Sequence, residues 1–147
     1  MSGGFAKRWP VRQEHPVTAD DVGLDGAVRT DALQRWIAAA FREYLDRCHA
    51  LQAAAARSGL RPRHRAPDVR PDALGRPAAV VVTASVTEVG PSSFRLAVRL
   101  RPAGGEGTVD AVCVVVLEDP ATGRAGPIDH DVRDELIAIE GSARHIG

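Results

Sequence analysis

An excess of charge of either sign is missing from this sequence: nineteen basic side chains face nineteen acidic ones, for a formal net charge of zero over 147 residues. Nucleic-acid binders and polybasic membrane anchors carry a positive footprint, so neither nucleic acid nor a membrane surface is an expected partner. Lysine is almost absent, Lys7 being the only one. The all-arginine remainder fits a GC-rich coding sequence, and arginine also suits phosphate and carboxylate recognition. Aromatic residues are scarce, with three Phe, two Trp and one Tyr, so the core must be built from Ala, Val, Leu and Ile. No window approaches the ~18 consecutive apolar residues that a membrane-spanning helix requires. Met1 to Arg12 has no apolar run of the secretory type, and a cytoplasmic location is expected. Cys48 and Cys113 lie inside apolar patterns and are expected as two buried free thiols.

The composition that is present, 44% apolar and 26% charged, is that of one globular domain spanning residues 1–147. Trp9, Val11, Gln13, His15 and Val17 alternate along one face and predict a first strand. A carboxylate- and glycine-rich loop, Thr18 to Gly26, follows. Leu33, Trp36, Ile37, Ala40, Phe41, Tyr44, Leu45, Cys48 and Leu51 then recur at three- and four-residue spacing, which predicts one long amphipathic helix. Thr30 is its expected N-cap, Asp31 complements the helix dipole, and Gly59 is its expected stop. Leu60 to Pro77, rich in proline and arginine, is expected as an irregular loop.

Three strands are predicted next: Ala78–Val89, Ser93–Arg101 and Thr108–Glu118, separated by Gly-Pro and Gly-Gly-Glu-Gly turns. The turn at Asp119 to Gly123 leads to a short helix from about Asp129 to Glu140, whose Val132, Leu136, Ile137 and Ile139 are expected to pack on the sheet. The expected class is α+β. One helix cannot cover both faces of a sheet, so a curved antiparallel sheet should wrap around it and a second copy should cover the rest.

Three passages carry a family resemblance. Asp21-Val-Gly-Leu-Asp-Gly-Ala-Val28 with Arg35-Trp36 resembles a D-x-x-G-H-V-N-N…R-[WY] approach to a central helix. Val89-Gly-Pro-Ser-Ser-Phe94 resembles a V-G-R-[ST]-S-F turn. Leu117 to Ile128 with Val132-Arg-Asp-Glu-Leu136 resembles a last strand, turn and terminal helix. Together they resemble the hotdog-fold acyl-CoA thioesterases of the 4-hydroxybenzoyl-CoA thioesterase type. The resemblance implies a hotdog fold, an acyl-CoA or acyl-carrier-protein (ACP) substrate, no cofactor, and a homodimer or homotetramer with its site at a subunit interface. It also implies that Gly23 stands where the family carries its catalytic Asp, Ala27 where it carries His, and Arg29 and Thr30 where it carries two Asn. Glycine cannot act as nucleophile or base.

Thioester hydrolysis needs a group that activates water and donors for the developing oxyanion. The family's backbone N–H donor falls on Thr30, and its amide is either open to ligand or capped by the Thr30 side chain. Asp25 and Asp31 are the candidate carboxylates, although Asp25-Gly26 is also good turn chemistry and Asp31 good helix-start chemistry. Asp20 and Asp21 are expected to decorate the solvated loop. His15 and Arg29 are candidate substrate-binding residues, and Arg61, Arg63 and Arg65 could meet CoA phosphates. Asp129-His130-Asp131 reads as helix capping, and no spacing of His, Cys and carboxylates supports a metal. Val89-Gly-Pro-Ser-Ser lacks the nucleophile-elbow pattern, and Ala103 to Gly107 lacks the Gly-Lys of a phosphate loop. A second reading therefore stands beside the enzyme: a non-catalytic module binding an acyl or aromatic ligand or a protein partner.

Overall fold

The computed structural model describes residues 9–64 and 67–145, which form five strands and three α-helices. The strands are β1 (Val11–Pro16), β2 (Arg61–His64), β3 (Ala79–Val89), β4 (Ser93–Pro102) and β5 (Val109–Glu118). The helices are α1 (Thr30–Arg47), α2 (His49–Ser58) and α3 (His130–His145). All strands join one antiparallel sheet in the order β1-β3-β4-β5-β2.

The period-two runs set the faces of the sheet. Val80, Val82, Ala84 and Val86 of β3 share the inner face with Phe94, Leu96, Val98 and Leu100 of β4, and with Val109, Ala111, Cys113, Val115 and Leu117 of β5. Against it lie Leu33, Trp36, Ile37, Ala40, Phe41 and Tyr44 of α1, all buried. Each fully buried Leu, Ile or Val contributes about 1.5–3 kcal/mol over an exposed one, so this layer dominates stability. Both edges of the sheet reach α1: His15 of β1 stacks on Trp36 at 5.8 Å, and the His64 ring of β2 sits 4.0 Å from that of Phe41. The curved sheet thus wraps the helix, as expected.

The long predicted helix is broken at Cys48, whose ψ of 76° leaves helical geometry. The break turns Leu51, Ala54 and Ala55 into the core, and the Glu135 carboxylate of α3 accepts the Ala50 N–H exposed at the new helix start (3.0 Å). Gly59, at φ 76°, ends α2 as expected. Both cysteines are buried and free; burial pushes the Cys48 thiol up to about 12 and the Cys113 thiol up to about 11.

The segment after Gly59, expected as an irregular loop, contains regular structure. Arg61–His64 forms edge strand β2 through register with Val115–Glu118, and Pro71–Leu74 makes a 3-10 turn. Its local composition hides this strand, because the pairing comes from β5. The last helix runs past Glu140, and Ile137 is 61% exposed instead of packing on the sheet. Asp129 caps it, accepting the Val132 N–H at 3.0 Å.

Glu140 is buried and accepts from the Tyr44 and Ser85 hydroxyls, both at 2.5 Å, and from the Val86 N–H at 2.8 Å. Since β1 reaches only to Ala84 along β3, this carboxylate satisfies a backbone donor where no described strand pairs.

Candidate functional site

The chain reaches α1 through a small hairpin-like loop. Val22 bridges Val28, the Gly23 N–H donates to Ala27 O at 2.9 Å, and the Gly26 N–H donates to Gly23 O at 3.0 Å. Asp25 closes the turn by accepting the Ala27 N–H on Oδ1 at 3.0 Å, and its backbone carbonyl accepts from Arg76 at 2.6 Å. A β-carbon on Gly23 would stand 3.2 Å from Asp25 Oδ1, so the Asp25 carboxylate lies directly beside Gly23.

Arg29, not Thr30, occupies the N-cap of α1, and no side chain among the described residues caps the helix. Thr30 is the first helical residue, and the N–H groups of Thr30 and Asp31 have no partner among the described residues. Of the two fates predicted for these amides, capping by the Thr30 hydroxyl does not occur. Asp31 is exposed and paired with Arg29 Nε at 3.0 Å.

Asp21 departs most from expectation. It is buried rather than solvated, because Oδ2 accepts the Thr18 N–H and hydroxyl (2.9 and 3.0 Å) and Oδ1 accepts from Arg35 at 2.5 Å. The Thr18 amide and then Arg35 hold its pKa below the ordinary carboxylate value against the opposing effect of burial. With both oxygens engaged, Asp21 anchors the loop. Its own carbonyl accepts the Arg29 N–H at 2.8 Å, which sets the first turn of α1. Asp20 is exposed, as expected.

His15 lies on the inner face of β1 opposite Val80, half-buried against Trp36. Burial and then the Arg35 charge lower its pKa, with Asp21 opposing. Its Nε2 is 2.9 Å from Gln13 Oε1, and Gln13 Nε2 donates to Ala39 O and Glu43 Oε1 at 3.2 and 3.0 Å. Sequence reasoning found His15 but not Gln13 or Glu43; the shared parity of Gln13 and His15 on β1 was the available signal.

The arginines separate. Arg61 donates to the carbonyls of Ala55 and Leu60 at the end of α2, far along the helical segment from Thr30. Arg63 pairs with Glu118 at 2.6 Å on the outer face, and Arg65 lies outside the described residues. No group of three or more His, Cys, Asp or Glu able to hold a metal ion occurs among the described residues.

Comparison with solved structures gives the architecture its name. A Thermus thermophilus thioesterase, crystallised with coenzyme A and zinc, superposes with a TM-score of 0.73 at 22% identity, over 92% of this chain and 98% of that one. The fold is the hotdog fold. A 1,4-dihydroxy-2-naphthoyl-CoA thioesterase from Synechocystis shares it (TM-score 0.67, 14% identity, 86% of this chain and 94% of that one). So does the 12:0-ACP thioesterase of Umbellularia californica (TM-score 0.72, 19% identity), where this chain matches 53% of that one. No protein-family model matches the sequence. No curated protein matches it either. Within the hotdog frame, the loop before α1 and the open first turn of α1 form the candidate site. Among the described residues no helix is long and apolar enough to cross a membrane.

Proposed function

We propose that this hotdog protein is thioesterase-like and hydrolyses an acyl thioester of CoA or of acyl carrier protein. The observation that carries the reading is the Asp25 carboxylate, held 3.2 Å from where a side chain on Gly23 would begin and one short loop from the uncapped amides of Thr30 and Asp31. Asp25 activates water for attack on the thioester carbon, with Asp31 as the second candidate on the first helical turn. The Thr30 N–H, aided by the helix dipole, receives the developing oxyanion. Arg29 and His15 contact substrate around this point. Arg61, Arg63 and Arg65 are candidate phosphate contacts if CoA extends along the β2 edge.

The site is proposed to lie at a subunit interface of a homodimer or homotetramer. Val112 and Val114 of β5, 50% and 45% exposed on the outer sheet face, support association. A cytoplasmic location and the absence of a cofactor belong to the same reading.

The alternative, a binding module without hydrolysis, is favoured by one specific observation: both candidate aspartates already have partners, Asp25 in Ala27 N–H and Asp31 in Arg29. Incubation with short, long and aromatic acyl-CoAs, followed by free thiol, separates the two. Turnover abolished by Asp25→Asn supports the hydrolase. Ligand-dependent thermal shifts without thiol release across the panel support the module.

A further inference from the structure

The inner face of β1 carries a hydrogen-bond chain whose direction is fixed at one end. Gln13 Nε2 meets two acceptors, the Ala39 carbonyl and the Glu43 carboxylate, so its nitrogen must point there. Glu43 is itself held by Arg47 at 3.1 Å through its other oxygen. Gln13 Oε1 is thereby turned toward His15, and an amide oxygen only accepts. The His15 Nε2 contact at 2.9 Å then requires the proton on Nε2. Nδ1 is left with a lone pair and has no hydrogen-bond partner among the described residues.

We propose that Gln13 and Glu43 are positioning residues that lock His15 as the Nε2–H tautomer, so that Nδ1 serves as a fixed acceptor for an amide N–H of the bound thioester. The inference rests on the hydrolase reading for its ligand class. CoA and acyl-carrier-protein thioesters end in the same pantetheine arm, whose first amide N–H lies two carbons from the sulfur. It is the donor nearest the thioester whatever the acyl group. The stack on Trp36 fixes the plane of the imidazole ring. Burial and Arg35 favour the neutral ring, the only form that offers an acceptor, and Asp21 opposes them. No bond is made or broken by His15 in this role; it orients substrate.

Two measurements test the proposal. Nitrogen-15 NMR of the full chain at neutral pH should report an Nε2–H tautomer for His15, and Gln13→Leu should shift it toward a tautomer mixture. An Nδ1–H tautomer in the unaltered protein overturns the lock. Binding of S-butanoyl-N-acetylcysteamine is then compared with that of its N-methylated amide, by NMR titration so that no turnover is needed. The unaltered protein should prefer the N–H form by about tenfold, the worth of one hydrogen bond. His15→Phe, which keeps an aromatic ring beside Trp36, should erase the preference, and His15→Asn should restore part of it. Equal binding of both probes, no binding of either, or a preference that survives His15→Phe overturns the proposal. Failure of the hydrolase reading is separate: it appears as binding with N–H discrimination but no thiol release.

Discussion

Asp21 and Glu140 are both buried carboxylates accepting three hydrogen bonds, yet their donors differ in kind. Asp21 has a cationic partner, Arg35, whose side chain is 60% exposed. Among the described residues Glu140 has only neutral donors: a phenol, a serine hydroxyl and a backbone amide. The first arrangement is an electrostatic clamp at the solvent boundary, which orders the loop before α1 and lets its carboxylate ionise readily. The second is a buried latch, joining α3 to Tyr44 of α1 and to the stretch of β3 along which no described strand pairs. Burial and the adjacent Glu140 raise the Tyr44 pKa, so the phenol stays a donor. The clamp turns on a charge paired with a charge, whereas the latch turns on the loss of any member, because each leaves the others buried without partners.

Substitution at the latch should have the largest effect. Glu140→Ala strands three buried donors and is expected to cost about 3–5 kcal/mol in chemical denaturation. A loss under 1 kcal/mol would mean that water replaces the carboxylate and the contrast collapses. Asp21→Asn should cost about 1.5–3 kcal/mol at pH 7, the range for hydrogen bonds to a charged group. Here the sign of the pKa shift matters. A carboxyl held lower in the folded state stabilises above its unfolded pKa of about 3.9, and that contribution is lost as pH falls through the lower folded value. The Asp21→Asn difference should therefore shrink between pH 5 and the acid limit; an unchanged difference would sink the clamp. Arg35→Gln should cost less, about 1 kcal/mol, since the guanidinium is solvated and Thr18 still holds Asp21. Smallest of all on stability, Asp25→Asn should change it by less than about 0.5 kcal/mol; on the proposed hydrolase reading it should also remove thioester turnover, and a variant that keeps turnover would overturn the role proposed for Asp25.

The three long strands and their turns were legible from Val80 to Leu117, and the buried face of α1 from Leu33 to Tyr44, because alternation and helical periodicity are local and strong there. The bend at Cys48 was not, because no proline or glycine announces it and the Ala50 amide it exposes is satisfied by Glu135, 85 residues further on. Strand β2 escaped because Arg61-Pro-Arg-His64 has no apolar alternation and owes its extended form to β5. Asp21 was misplaced because a carboxylate beside glycine looks solvated until Arg35 and Thr18 converge on it.

By itself the sequence determined the neutral charge balance, the absence of a membrane-spanning helix, the strand and helix periods, and hence a curved sheet around a helix. These follow from composition and from patterns within some twenty residues, which any chain of this order would carry. Only the tertiary structure decided which carboxylates are buried, where the helix breaks, that the first amides of α1 stay uncapped, and which way Gln13 turns His15. Those depend on distances between residues remote in the chain, set by packing rather than by local preference.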